Sequence, residues 1–297
     1  MDLQLLLITL SFLIPTLTYF IILPGLRKKV FQSTVVFCFE ILTGYGILHS
    51  LYDPCWTSGR VQLKSCFKSA SNETLIADLH VQVGLNYVNI TLEAHNIVTS
   101  NGVKRMTENM YFNERISLPE LHDKNSELKR SLKNGQPYPI LKIVEFISSE
   151  SFGWGRKYRL IGYYTATALW VAFLSWAVSF LGIYFLPQVF SRTLLISGIM
   201  AVIGDLIFYY NNPNGQVIRF SGFDEDSMLI FKVSRAFYIT TFLGILCVNV
   251  GYLMLLIEWK TGKFIDTAFT TKRRTSHSIF ALYAPPSPTD FHDKNNI

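Results

Sequence analysis

"YYTATALWVAFLSWAVSFLGIYF" runs from Tyr163 to Phe185 without a single charged side chain. As a helix it covers the ~30 Å hydrocarbon core of a bilayer. Lipid offers the backbone no hydrogen-bond partner, so such a run must close its own ladder. The stretch therefore sets the fold class as a polytopic α-helical membrane protein. It is the centre of a span over Ile161–Leu186, and working outward gives four more: Leu3–Leu23, Val30–Leu51, Thr193–Tyr210 and Phe237–Ile257. Pro15 predicts a kink in the first, and Asp205 makes the fourth the weakest.

The N-terminal run follows Asp2, has no Lys or Arg before it and ends in "LPGLRKK". It reads as a retained helix and not as a cleaved signal peptide. Across 297 residues the mean hydropathy is +0.27. That value predicts a helical bundle joined to a sizeable polar part. The net charge of +6 is not gathered into an aromatic-interleaved basic run, which argues against nucleic acid as a partner.

Orientation follows from Lys and Arg at the flanks. Arg27, Lys28 and Lys29 lie after the first span, Arg192 lies between the third and fourth, and Lys260, Lys263, Lys272, Arg273 and Arg274 follow the fifth. Five helices put these on one side, the cytosol. The organisation is then 1–51 for the first two helices with the N-terminus outside, 52–160 for an outer domain, 161–257 for three helices and 258–297 for a cytosolic tail. The two N-glycosylation sequons, at Asn72 and Asn89, both fall on the outer side. In the tail, Ser276 follows two arginines in "KRRTSHS", read either as a stop-transfer flank or as a kinase site.

The outer segment is long enough to fold by itself. Leu79, Val81 and Val83 alternate with Asp78, His80 and Gln82. After Gly84, Val88, Ile90 and Leu92 alternate with Tyr87, Asn89, Thr91 and Glu93. This is a pair of antiparallel strands with one wet face, and Asn89 is on it. "SLPELHDKNSELKRSLKNG" predicts a helix from Ser117, with Pro119 in its first turn and Gly135 ending it. "PYPILKIVEFISSE" predicts another, so the outer domain is α+β with a small antiparallel sheet.

Cys38 and Cys247 lie in membrane spans and read as packing residues. Cys55 and Cys66 are the two on the oxidising side, where a hairpin disulfide is expected and two free thiols are the alternative. Their spacing does not suit zinc. No P-loop, G-x-S-x-G or H-E-x-x-H occurs. No catalytic, cofactor-binding or metal residue is assigned. Glu40 and Asp205 are intramembrane acids. Such groups mark ion pathways or are paired, here with Asn249, a tyrosine hydroxyl or a partner subunit. Small residues recur four apart at Gly162 and Ala166, Ala168 and Ala172, Ser175 and Ser179, and Ser197 and Ala201. They serve packing within the bundle or admit a helix of another protein.

"ILPGLRKK", "VQVGLNYVNITL", "NGQPYPIL" and "YRLIGYYTATALWVAFLSWAVS" together resemble the dual oxidase maturation factors. The resemblance is strong from Ile22 to about Ser179, weaker over the last two helices and absent from the tail. It implies five membrane helices, an outer N-terminus and a claudin-like sheet between the second and third helices. It also implies a non-catalytic protein that binds a dual oxidase. Haem, FAD and NADPH would sit on that partner. The chain would bring the oxidase out of the endoplasmic reticulum to the plasma membrane and remain its subunit in hydrogen peroxide production. Two rivals come from other classes: a claudin- or tetraspanin-like scaffold, and an ion or proton transporter using Glu40 and Asp205.

Overall fold

The computed structural model describes residues 3–25, 30–66, 74–99, 102–118, 126–148, 153–185, 187–212, 217–220 and 228–261. Asn72, the Arg27–Lys29 cluster, the acids of 224–226 and the tail from 262, with Ser276, lie outside them. Among the described residues, five helices are long and apolar enough to cross a membrane. They are α1 (Leu3–Ile22), α2 (Val30–Tyr52), α5 (Trp154–Phe185), α6 (Pro187–Asn211) and α7 (Arg235–Thr261). The chain is a multi-pass membrane protein.

α2, α5, α6 and α7 overrun the expected spans at ends where packing continues beyond apolar sequence, while α1 stops at Ile22. α5 begins at Trp154, ahead of Ile161, because Trp154 and Tyr158 are buried under neighbouring elements despite the charges at Arg156, Lys157 and Arg159. α6 begins at Pro187, and proline suits a first helical position. α5, α6 and α7 pack closely, α2 lies against α5 and α7, and α1 touches mainly α2. Only 17% of the α1 span is buried, against 50% for α2, so α1 is the peripheral helix. Tyr19 of α1 stacks on Phe37 of α2 at 3.9 Å between ring centroids.

The sheet has five antiparallel strands in the order β4-β3-β2-β1-β7. They are β1 (Thr57–Cys66), β2 (Thr74–Val83), β3 (Tyr87–Thr99), β4 (Gly102–Ser117) and β7 (Lys232–Val233). The β2–β3 register places Val83 opposite Val88 and Gln82 opposite Asn89, as the alternation requires. Gly84 makes the turn, and a Cβ there would lie 2.9 Å from the Asp53 carbonyl. A second ribbon, β5 (Val217–Arg219) with β6 (Met228–Ile230), lies beside β1.

The helix expected from Ser117 begins only at Ser126, as α3 (Ser126–Lys133), and Ser117 ends β4. Strand pairing wins there because Ile116 is buried while Tyr111, Asn113 and Arg115 turn outward along β3. Pro119 lies outside the described residues. Gly135 does end α3, with φ +67° and the Gly135 and Gln136 amides donating back to Leu132 and Ser131.

α4 (Tyr138–Ser148) lays Ile140, Ile143, Val144 and Ile147 over the apolar face of the sheet, all fully buried. That core runs without a break into Leu51, Tyr158, Leu169 and Phe208 of the helices. The outer segment does not close a core of its own: sheet and bundle are sealed together.

Gln4 at the start of α1 accepts a hydrogen bond from Arg115 of β4 at 3.2 Å. The start of α1 is therefore on the sheet side. α7 starts against β1 on that side, so Thr261 ends on the opposite one.

Candidate functional site

"LYDPCW" carries the chain out of α2 into β1, and Asp53-Pro54 is a turn signal. The Asp53 carboxylate is nearly fully buried and accepts from the Cys55 amide at 2.9 Å. It also accepts from Arg235, the first residue of α7, at 3.2 Å and 3.3 Å, and lies 3.8 Å from the His49 ring. Two backbone bonds run beside this ion pair, Ser234 to Trp56 and Ala236 to Cys55. Trp56 is wholly buried, donates from Nε1 to the Ser50 carbonyl at 2.7 Å and packs edge-on against Phe208. Tyr158 of α5 donates to the Val83 carbonyl at 3.1 Å. The sheet is thus bolted to α2, α5, α6 and α7 and cannot swing freely on a linker. No sequence period pairs Asp53 with Arg235, which stand 182 positions apart. The only signal was a charge at the head of an apolar span.

The outer face of the sheet is polar. Arg60 and His95 both approach Asp78, at 3.3 Å and 3.6 Å. Burial lowers the affinity of His80 for a proton, and the Arg60 charge opposite it adds to this. Asn89 is half-buried on this face, opposite Gln82 and Arg115. Tyr87, expected to be wet, is buried beneath the Arg115 guanidinium, and its hydroxyl donates to the Tyr52 carbonyl at 2.7 Å. At the covered face, Lys142 of α4 reaches the Arg219 carbonyl and the Phe220 ring, and burial lowers its proton affinity.

The Cys55–Cys66 bridge is not made. Both thiols are free, Cys55 buried and Cys66 exposed. Cys55 precedes β1 by two residues and Cys66 ends it, a ten-residue strand that spans roughly 30 Å, whereas a disulfide needs Cα atoms within about 7 Å. The hairpin partner of "TSGRVQLKSC" is β2 and not its own second half. Burial, reinforced by the Asp53 charge, pushes the Cys55 thiol up to about 11.

The intramembrane acids do not come together. Glu40 accepts from Ser179 of α5 at 3.2 Å, and the Trp176 indole donates to the Glu40 carbonyl at 2.8 Å. Asp205 accepts from Thr241 of α7 at 2.9 Å, at the level where Thr165 of α5 meets Gly204. Thr165 and Trp176 are three turns of α5 apart, roughly 16 Å along the axis. Neither acid pairs with Asn249, which is exposed on α7 and donates to its own Ile245 carbonyl. The transporter reading therefore loses its path.

Most of the small-residue stripe is used inside the bundle. Ala168, Ala172, Ser179, Ser197 and Ala201 are all buried, and Ser197 donates to the Ala172 carbonyl at 2.8 Å. Among the described residues no cluster of three or more His, Cys, Asp or Glu has a metal-binding arrangement.

The dual oxidase maturation factor family model matches residues 1–273. The match therefore passes through the last two helices and into the tail, beyond the extent the motifs alone suggested. Dual oxidase maturation factor 1 of Caenorhabditis elegans is 36% identical over 267 residues, 86% of this chain and 67% of that protein. The human protein of the same name is 30% identical over 260 residues, covering 86% of this chain and 73% of its own. Human dual oxidase maturation factor 2 is 27% identical over 259 residues, 86% and 78% of the two chains.

Proposed function

The chain belongs to the dual oxidase maturation factor family, and from that premise we propose that it binds a dual oxidase and is required for the oxidase to leave the endoplasmic reticulum. It remains at the plasma membrane as a non-catalytic subunit while the oxidase produces hydrogen peroxide. Haem, flavin and NADPH belong to the oxidase, and this chain holds none. The N-terminus and the claudin-like sheet face the lumen and then the cell exterior, with glycans at Asn72 and Asn89. The tail is cytosolic. The family match over residues 1–273 is the observation that carries this reading.

The proposed docking of the oxidase is on surfaces that the fold leaves uncovered. The apolar face of the sheet is closed by α4, and most of the small-residue stripe is used internally. Among the described residues, what remains is the polar outer face, the edge of β4 and the lipid-facing helix surfaces. Asn249 lies mid-way along α7 at an exposed position among Phe242, Ile245 and Leu253, where its amide donates to the Ile245 carbonyl and keeps further hydrogen-bonding capacity. An amide in hydrocarbon is best satisfied by a neighbouring helix. On this reading Asn249 belongs to the intramembrane part of the contact with the oxidase.

Purification in mild detergent tests the pairing. Co-expressed with a dual oxidase, the tagged chain should bring down a haem spectrum, and expressed alone it should bring down none. Haem on the chain alone, or an oxidase that never co-purifies, overturns the proposal.

A further inference from the structure

Where the 84–86 turn and the end of β4 rest on α5, a cavity of about 170 Å³ opens between Leu85, Asn86, Leu118, Arg159, Tyr163 and Ala166. One water takes only ~30 Å³ in the liquid, so a single water does not fill it. The Nη1 atom of Arg159 is closed off from solvent and meets no hydrogen-bond partner among the described residues. A guanidinium is always charged and carries five donors, and a buried charged donor left alone is costly.

Depth identifies what completes it. Tyr163 and Tyr164 on α5, Tyr209 and Tyr210 on α6 and Tyr238 on α7 are exposed at the sheet-side ends of their helices. Tyrosines placed so mark the membrane–water boundary. Arg159 lies one turn to the sheet side of Tyr163, at the level of lipid headgroups. Below it Tyr163, Ala166, Trp170 and Leu174 recur at three- and four-residue spacing on the same face of α5, with Trp170 and Leu174 exposed. A cationic donor thus stands above an apolar track.

We propose that this cavity binds the phosphate of a glycerophospholipid, with Arg159 as its charged donor and an acyl chain lying along Ala166, Trp170 and Leu174. Phosphate is the chemistry that a guanidinium fork fits. Free phosphate would satisfy the arginine but leave the apolar track unused, which favours the lipid as its source.

Native mass spectrometry of the full chain in mild detergent tests this. The wild type should retain one phospholipid. Arg159→Gln should lower that retained fraction about tenfold, as loss of a charge-assisted bond to a buried group implies. Arg159→Lys should keep most of it, and Arg156→Gln, at an exposed position on the same helix, should keep all of it. Added inorganic phosphate should neither displace the lipid nor bind the delipidated chain. A photoreactive residue replacing Tyr163 should cross-link to phospholipid in intact membranes. Equal retention in Arg159→Gln, phosphate binding without lipid, or a cross-link to a polypeptide each overturns the proposal. Should Arg159→Gln not fold, Arg159→Lys and the Tyr163 cross-link decide: lipid lost from the one, or protein captured by the other, contradicts it.

Discussion

Leu79, Val81, Val88 and Ile90 of the sheet are sealed beneath α4 of the same chain, while Asp78, His80 and Asn89 face outward. In α1, α6 and α7 the polarity is reversed. Leu7, Ile14, Phe242 and Ile245 point outward, and polar groups such as Asp205 and Thr241 turn inward to meet each other. Both regions follow one rule applied in two solvents. Water rewards covering apolar area, and lipid penalises any backbone or side-chain polar group left open. The difference separates two classes of damage. Substitutions on the covered face of the sheet break the fold itself. Substitutions on the outer faces of sheet or helices leave the fold and, under the proposed function, are the ones to test for an effect on the partner.

The sharpest contrast is Val88→Asp. Val88 is fully buried in the core shared by sheet, α4 and bundle. An unpaired carboxylate there should cost on the order of 4 kcal/mol or more, enough to prevent recovery of folded protein. Size-exclusion chromatography of the detergent-solubilised variant checks this, and a monodisperse peak of normal yield would refute the shared core. Such a change damages the fold and not a docking surface. An apolar face that α4 already covers is not a face awaiting the oxidase.

Next comes the bolt between the regions. Asp53→Ala removes the acceptor of the Cys55 amide and the partner of Arg235. Arg235 is exposed enough to be rehydrated, so the loss should be about 1–3 kcal/mol. A lowered thermal midpoint, with the five spans still protected from protease, is the expected result.

Asn249→Leu should act the other way round. Removing an outward amide from α7 should leave thermal stability unchanged or slightly raised. It should weaken co-purification of the oxidase by about 1 kcal/mol, or roughly fivefold. An unaltered yield of oxidase would remove α7 from the interface.

The smallest effect is on pH. Burial first, and Arg60 second, hold the His80 proton affinity below its ordinary value, with Asp78, Gln82 and Thr91 as its other neighbours on that face. The unfolded chain takes up that proton before the folded one does. His80 therefore contributes stability in full above about pH 6.5 and loses it as pH falls below that value. His80→Gln should flatten the thermal midpoint between about pH 7 and about pH 5. A slope unchanged by the substitution counts against this.

The legible parts of the fold were those with local periods. Five apolar runs and the Val81–Leu92 alternation were visible because spans and strands write their pattern into adjacent residues. β1 and β4 were not read as strands. In β1, Gly59 and Ser65 stand at inward positions, and β4 carries Glu114 on its inward side. β7 is two residues long and exists only because Lys232 and Val233 meet Ser58 and Thr57. The expected Cys55–Cys66 bridge fails because closeness along the chain is not closeness in space, and an extended strand is the conformation that separates chain neighbours most. Of the joint, only Asp53-Pro54 had a local signature. Arg235, Tyr158 and Trp56 became interpretable once tertiary packing had placed them. The Arg159 cavity likewise depends on a turn and a helix that sequence alone did not juxtapose.

Surface delivery of the partner tests the central claim most directly. In cells lacking this protein and any paralogue, an expressed dual oxidase should stay in the endoplasmic reticulum, and peroxide at the cell surface should fall to background. Restoring the full chain should return both, while the chain expressed without the oxidase should make no peroxide. Normal surface oxidase and normal peroxide output in the cells that lack it would contradict the reading.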